Sequence, residues 1–219
     1  MRPWVTHSAS ATPDGTPLTL LQRGDDWVIR ARHEDLMSSR MHGSEQEMAR
    51  LAVPARPDAR VLVGGLGMGF TLRATLDLLP PAGAVTVCEL VPAVVAWNRG
   101  PLAPLAAHPL DDPRATLHVG DVGALLRASP GAWDAVLLDV DNGPEAFTQA
   151  GNDAIYSPDG LRRARMALRP GGVLAVWSAY AARGFEARLQ RAGFAPEAVT
   201  VRAHAGKGAR HVIYLGRTG

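Results

Sequence analysis

Apolar positions follow two alternating periods along most of this chain. Short apolar runs predict buried strands, and the segments between them, where apolar residues recur every third or fourth position, predict helices. From residue 60 onward the predicted strands are 61–64, 84–89, 115–119, 134–139 and 172–178, and the predicted helices are 70–79, 92–99, 122–128, 159–168 and 184–192. Alternation of this kind predicts an α/β fold with a doubly wound, mostly parallel sheet.

Two late strands, 197–203 and 210–216, flank a glycine-containing turn and predict an antiparallel hairpin at one edge, which completes a seven-stranded Rossmann-like sheet. Near the N-terminus, segments 17–22 and 26–32 predict a short β-hairpin. A helix is predicted over 44–52, with Ser44 as N-cap and Glu47 at the capping-box spacing. We therefore expect a β-hairpin extension over 1–43 and a main domain over 44–219.

Composition excludes several classes of function. The net charge is +2 over 219 residues with no dense run of Lys or Arg, so nucleic-acid binding is not expected. Cys88 is the only cysteine and lies in an apolar strand, and no His, Cys or Asp spacing suggests a metal site. No apolar run approaches the ~18 residues that cross a bilayer, and the N-terminus lacks a signal-like segment. A cytoplasmic protein without a membrane partner is expected.

A glycine loop follows the first strand of the main domain. Gly65, Gly67 and Gly69 stand between strand 61–64 and the helix that begins near Phe70. Glycine has no Cβ and tolerates positive φ, so such a loop can turn sharply and lie against a nucleotide. An ordinary tight turn is the alternative. Phe70 occupies the position where a dinucleotide fold has its third glycine, which argues against a dinucleotide.

Three further strands each end in an acid: Glu89, Asp121 and Asp139. Ligands of such sheets bind outside the carboxyl ends of the strands, so these acids are expected at one site. Glu89 is placed to accept the hydroxyl hydrogens of a ribose, Asp121 the amino group of an adenine, and Asp139 lies near the reactive end of a bound nucleoside. Each acid taken alone is also compatible with a helix cap or a solvated loop.

The Gly-x-Gly-x-Gly loop and the segment Leu168-Arg-Pro-Gly-Gly172 resemble class I S-adenosylmethionine-dependent transferases. With Gln46-Glu47-Met48, Asp134 to Asp139 and Gly143-Pro144, the pattern is similar to the spermidine synthase family of polyamine aminopropyltransferases. The resemblance implies donor contacts from the glycine loop, Glu89, Asp121 and Gln46, and a role for Asp139 in orienting and deprotonating an attacking amine. It also implies a homodimer and an N-terminal β-domain, here shortened.

Three departures from the family pattern bear on the donor and the acceptor. Met68 stands where the family's glycine loop carries an acid. The missing acid removes a reason to prefer the decarboxylated donor. As a residue of the glycine loop, Met68 is expected to contact the donor. Glu45 replaces a gatekeeping tyrosine. The segment after Asp139 is shortened, and Asp141 either acts jointly with Asp139 or, with Asn142, shapes a turn.

Trp177 and Tyr180 lie at and just past the end of the fifth strand and are candidates to line an acceptor pocket and offer a cation-π face, although core packing is the favoured interpretation of Trp177. His204, Lys207, Arg210 and His211 cluster at the last hairpin, where a solvated turn is the default interpretation and an anion patch or subunit contact the alternative.

The pattern favours methyl transfer from S-adenosyl-L-methionine to a small amine or similar nucleophile, with Asp139 as base and no metal. The alternative is aminopropyl transfer from decarboxylated S-adenosylmethionine to a diamine. A third hypothesis is a nucleoside-binding protein without catalysis.

Overall fold

The computed structural model describes residues 2–140, 143–144, 153–204 and 207–219. It contains a seven-stranded sheet and a separate four-stranded sheet. The larger sheet has the strand order β10-β11-β9-β8-β5-β6-β7. Its strands are β5 (Arg60–Gly64), β6 (Ala84–Glu89), β7 (Ala115–Val119), β8 (Trp133–Leu138), β9 (Leu168–Ser178), β10 (Ala195–His204) and β11 (Lys207–Arg217).

Strands β5 to β9 pair in parallel, and β11 pairs antiparallel with both β9 and β10. The predicted fold class, including the antiparallel edge hairpin, is confirmed. The helices are α1 (Gly43–Ala52), α2 (Phe70–Leu78), α3 (Pro92–Arg99), α4 (Val122–Ala128), α5 (Asp153–Tyr156), α6 (Pro158–Ala167) and α7 (Phe185–Arg191).

The sheet is buried on both faces, which explains its continuous apolar strands. In β5, Val61 and Val63 face one layer and Leu62 faces the other, because successive side chains of a strand point to opposite faces. The first layer contains apolar residues of α1, α2 and α3, and the second contains those of α4, α6 and α7. Both faces of the central parallel strands are therefore covered by helices, whereas the edge strand β7 is largely exposed.

The N-terminal sheet is larger than the predicted hairpin. The strands β2 (Pro17–Arg23) and β3 (Asp26–Ala31) form that hairpin, and β1 (Val5–Ala11) and β4 (Glu34–Ser38) extend it on either side. The flanking strands were missed because they are short of apolar residues and largely exposed, so the chain shows no inward-facing alternation there. Leu18, Leu20 and Ile29 connect this sheet to the main core.

The predicted capping box of α1 is wrong. The N-cap of the helix is His42, which makes no capping side-chain hydrogen bond, and Ser44 is fully buried inside the first turn. The Ser44 hydroxyl donates instead to Oε2 of Glu45, at 2.6 Å. The spacing of Ser44 and Glu47 matches a capping box, but the Ser44 hydroxyl contacts the side chains of Glu45 and His211 instead of the helix backbone.

The buried carboxylate of Asp134, near the start of β8, connects the loop before β5 to the sheet. Asp134 is 5% exposed and accepts hydrogen bonds from Arg56 at 2.9 Å, from Arg169 at 3.0 Å and from the backbone N–H of Arg60 at 2.8 Å. With these three hydrogen-bond donors, Asp134 has a structural role.

Candidate active site

A cavity of about 370 Å³ lies at the carboxyl ends of the parallel strands, beneath the N-terminal sheet. The glycine loop and the residues that end β6, β7, β8 and β9 line one wall. Residues of the N-terminal sheet line the other, among them Leu18, Ile29, Asp35, Leu36 and Met37. The parallel strands thus bring the predicted acids together, and the N-terminal sheet forms part of the same site.

The glycine loop needs its glycines. Gly65 has a φ of 91°, and a Cβ there would lie 2.2 Å from the carbonyl oxygen of Asp139. Gly67 has a φ of 52°, and its Cβ would lie 2.7 Å from Cε of Met37. Gly69 is the N-cap of α2 with a φ of 83°. Gly65 and Gly67 line the cavity, so the backbone itself forms this part of the wall.

Met68 does not take the predicted position. Its side chain is fully buried in the core and is absent from the cavity lining, while its backbone N–H lies 3.1 Å from Sδ of Met37. Because Gly67 and Gly69 on either side are both left-handed, the chain turns twice and directs the Met68 side chain inward. The Met68 side chain therefore does not line the cavity, and the expected contact of this residue with the donor stays a prediction.

Glu89 lies in the cavity wall beside the glycine loop. Its carboxylate accepts hydrogen bonds from the backbone N–H groups of Leu66, at 2.9 Å, and Val91, at 2.8 Å. Burial raises the pKa of Glu89, and these backbone donors act in the opposite direction. The donors fix the carboxylate in place, and each oxygen retains a lone pair for a ligand hydroxyl.

Asp121 lies at another part of the cavity, where it is the N-cap of α4 and accepts a hydrogen bond of 2.5 Å from the N–H of Ala124. Cys88 also lines the cavity, and burial raises the pKa of its thiol to about 12. The thiol is therefore inert near neutral pH. Asp121 is both a helix cap and a cavity residue, so the two interpretations of this acid are compatible.

Two carboxylates meet at the end of the cavity that follows β8. Asp139 accepts a hydrogen bond of 2.5 Å from the hydroxyl of Thr71, and Glu45, only 5% exposed, projects from α1 into the same region. Burial and the nearby Asp139 raise the pKa of Glu45 to about 7. Burial raises the pKa of Asp139 to about 6, against the effect of Thr71. Burial thus favours the protonated form of both carboxyl groups.

Gln46 lies outside the cavity. It is exposed on α1, whereas Glu45, Met48, Ala49 and Ala52 form the buried face of that helix. A helix turns about 100° per residue, so the burial of Glu45 points its neighbour away. Glu45 is therefore the cavity residue of this helix, and the expected contact of Gln46 with the donor stays a prediction.

The wall beside Glu45 contains Trp177, Tyr180 and His211. The His211 ring packs edge-on against Trp177, with centroids 4.7 Å apart, and its Nδ1 lies 2.9 Å from Oγ of Ser44. Burial lowers the pKa of His211. Tyr180 is 78% exposed at the cavity rim. Trp177 and Tyr180 line the cavity. The sequence analysis placed His211 in a solvated turn by default, but it lines the cavity too.

Asp141 and Asn142 lie outside the described residues. Among the residues that are described, no three His, Cys, Asp or Glu side chains are grouped to hold a metal ion. None of the helices in that part of the chain is long and apolar enough to cross a membrane.

Sequence reasoning missed Met37 and His211 as cavity residues. It also missed Thr71 and Ser44, which hydrogen-bond to the cavity acids Asp139 and Glu45. Thr71 carried a weak signal, since the first turn of a helix after a ligand loop commonly faces the ligand. Ser44 and His211 are 167 positions apart, and no local pattern reports a contact of that separation.

No family model matches the chain. Curated relatives match about half of it. Polyamine aminopropyltransferase 2 of Pseudomonas aeruginosa is 36% identical over 120 residues, which cover 53% of this chain and 32% of the relative. Spermidine synthase of Coffea arabica is 34% identical over 134 residues, 59% of this chain and 40% of the relative. Putrescine N-methyltransferase 4 of Nicotiana tabacum is 34% identical over 120 residues, 52% of this chain and 28% of the relative. The chain thus spans about a third of the length of these relatives.

Solved structures share the fold. Spermidine synthase from Thermotoga maritima has a TM-score of 0.75 at 17% identity, over 98% of this chain and 73% of that one. The O-methyltransferase TomG from Streptomyces achromogenes, solved with S-adenosylmethionine, has a TM-score of 0.55 at 18% identity, over 80% of each chain. The seven-stranded sheet and its helices form a Rossmann-like fold that the chain shares with these structures. Over about half of its length, the chain is similar in sequence to spermidine synthases and other polyamine aminopropyltransferases.

Proposed function

We propose that the protein transfers an aminopropyl group from decarboxylated S-adenosylmethionine to a small diamine. The observation that carries this proposal is the charge of the cavity wall. Five carboxylates line the cavity, and no Arg or Lys side chain does among the described residues; the acids are Asp35, Glu45, Glu89, Asp121 and Asp139. Asp35 is paired with Arg30 at 2.6 Å, and, in the part of the chain that the structure describes, the other four acids have no Arg or Lys side chain beside them in the cavity wall. A wall of this composition favours ligands that are cationic throughout.

The two donors differ in one carboxylate. Decarboxylated S-adenosylmethionine carries a sulfonium and an ammonium, whereas the intact donor adds a carboxylate that the acidic wall would repel. Two unit charges 4 Å apart interact by about 1 to 4 kcal/mol at the effective dielectric constants of water and protein surfaces. A diamine adds only positive charge. The buried position of Met68 also removes the argument that favoured methyl transfer, since its side chain does not face the donor.

In this proposal the donor lies along the strand ends. The backbone of Gly65 and Gly67 leaves room for it, Glu89 accepts the ribose hydroxyl hydrogens, and Asp121 accepts a hydrogen bond from the adenine amino group. The sulfonium then lies toward Asp139. The predicted contacts of the glycine loop and these two acids with the donor thus remain part of the proposal.

The reaction is an in-line displacement at carbon. An acceptor ammonium first gives a proton to the carboxylate pair, and the lone pair of the neutral amine then forms the new C–N bond. The C–S bond breaks with its electron pair on sulfur, which leaves a neutral thioether nucleoside. Asp139 acts as base and orienting group, supported by Thr71. A base with a pKa near the working pH suits this proton transfer, and burial gives Asp139 a pKa of about 6.

Methyl transfer from intact S-adenosylmethionine is the second candidate. Its support is the similarity to a putrescine N-methyltransferase. Both reactions use an amine acceptor and the same base, so the donor is the point on which they differ.

Incubation of the purified protein with a diamine and each donor in turn tests the proposal, with the product identified by mass spectrometry. We expect an aminopropylated diamine with the decarboxylated donor. A methylated diamine from the intact donor, with no aminopropyl product, would overturn the proposal in favour of the second candidate.

Asp139→Asn is the matched negative control, and it should lower kcat by about 10² or more while donor affinity changes little. If the unchanged protein binds a donor but converts none of the diamines, the remaining hypothesis is nucleoside binding without catalysis.

A further inference from the structure

The carboxylate pair is continued by a hydrogen-bonded chain that runs from α1 to His211 on β11, in the wall of the same cavity. Oε2 of Glu45 accepts a hydrogen bond from the Ser44 hydroxyl at 2.6 Å, and the same hydroxyl oxygen lies 2.9 Å from Nδ1 of His211. Ser44 is fully buried, and the His211 ring is partly exposed. Three polar groups from α1 and β11 thus connect a buried acid to a ring that water can reach.

The reaction creates a need for such a connection. An acceptor that enters as an ammonium and leaves as a secondary ammonium releases one proton in each turnover. Glu45 is 5% exposed, so a bound acceptor would cover the little of it that faces the cavity. A proton on the carboxylate pair then has no direct exit to water while the site is occupied.

We propose that Glu45, Ser44 and His211 form a proton-release path from the acceptor site to solvent, and that Glu45 binds the acceptor ammonium together with Asp139. This inference rests on the proposed amine acceptor, although it holds for either donor. Protonated Glu45 donates to the Ser44 oxygen while Ser44 passes its own proton to Nδ1 of His211. The His211 ring then loses a proton to water, and Ser44 rotates back. No co-reactant is needed, because the acceptor supplies the proton.

The surroundings of Glu45 are consistent with this role. The titratable residues that line this end of the cavity, among those described, are Glu45, Asp139, Tyr180 and His211. Burial lowers the pKa of His211, which favours the neutral ring and its release of a proton to water. The edge-on contact with Trp177 fixes the orientation of the ring. Glu45 stands where the resembling family has a tyrosine, so the path belongs to this chain's own residues.

Steady-state kinetics of Ser44→Ala, His211→Gln and the double variant test the path. We expect each single variant to lower kcat by about tenfold, with donor affinity and the KM for the amine within about twofold of the unchanged protein. The double variant should lose no more than either single one, because both residues act in one path. Imidazole in solution should restore turnover to His211→Ala but not to Ser44→Ala.

Glu47→Gln is the matched control, since Glu47 lies on the same helix and pairs with Arg50 on the surface. It should retain the kcat of the unchanged protein. Unchanged kcat in Ser44→Ala and His211→Gln, or losses that add in the double variant, would overturn the path. If the unchanged protein shows no aminopropyl transfer, the proposed function is overturned instead.

A readout that does not need turnover separates the two failures. NMR titration of the His211 ring should show a lower pKa in Glu45→Gln than in the unchanged protein, because a nearby carboxylate stabilises the imidazolium. Glu47→Gln should leave that pKa in place. An identical His211 titration in Glu45→Gln would overturn the coupling on which the path depends.

Discussion

The Thr71 hydroxyl in the first turn of α2 donates a hydrogen bond of 2.5 Å to Oδ2 of Asp139, the acid that follows β8. The bond joins the helix after the glycine loop to the strand beside it. It also opposes the effect of burial on the pKa of Asp139. One hydroxyl thus positions the proposed base and keeps its pKa within reach of neutral pH.

Thr71→Val should weaken catalysis through Asp139. The variant keeps the shape of the side chain and removes the donor, so the pKa of Asp139 should rise and the acidic limb of kcat/KM should move to higher pH. We expect a loss of about tenfold in kcat/KM at neutral pH, since a hydrogen bond to a charged group is worth ~1.5 kcal/mol or more. Thr71→Ser, which keeps the hydroxyl, should retain the profile. An unmoved acidic limb in Thr71→Val would contradict the role of the bond.

The burial of Glu45 should be visible in stability as a function of pH. Its folded pKa of about 7 exceeds the ordinary value of 4.5, so between these values the folded protein holds more protons than the unfolded chain. Stability from this group is therefore lost as the pH rises through that window. Glu45→Gln should raise the free energy of unfolding at pH 8 by about 1 to 3 kcal/mol and change it little at pH 4. Chemical denaturation at both values measures this, and equal effects at the two would contradict it.

Asp134 should be a major contributor to stability. Its carboxylate is buried and bonded to two arginines and one backbone N–H, so Asp134→Ala leaves three donors without their partner. We expect a loss of about 2 to 4 kcal/mol in the free energy of unfolding. Asp58→Ala is the matched control, because Asp58 contacts the same Arg56 from an exposed position. A similar loss in both variants would show that burial of Asp134 is not the cause.

Gly65→Ala should remove donor binding. Its Cβ would meet the carbonyl oxygen of Asp139 at 2.2 Å, so the loop or the strand end must move. Gly131→Ala is the control, since Gly131 also has a positive φ, of 60°, but nothing within 4 Å of its Cβ. The control separates backbone strain, about 1 kcal/mol, from steric collision at the site. Equal donor affinities in the two variants would contradict the proposed place of the donor.

The sheet was predictable because both of its faces are buried, which makes β5 and its neighbours read as apolar runs. The cluster of Glu89, Asp121 and Asp139 was predictable for a related reason, since parallel strands end at the same edge of the sheet. The flanking strands β1 and β4 were not, because they bury little apolar surface.

The directions of single side chains were the least predictable feature. Met68 turns into the core because of the left-handed glycines around it, and only the backbone geometry reveals that. Glu45 is a buried charge, which hydrophobic patterning places on the exposed face. His211, which is linked to Glu45 through Ser44, comes from β11, near the other end of the sequence.

Calorimetric titration of the purified protein with decarboxylated S-adenosylmethionine, intact S-adenosylmethionine and S-adenosylhomocysteine tests the central claim most directly. The acidic cavity should bind the decarboxylated donor at least about tenfold more tightly than the intact donor, a difference of ~1.4 kcal/mol. Equal or tighter binding of the intact donor would contradict the account.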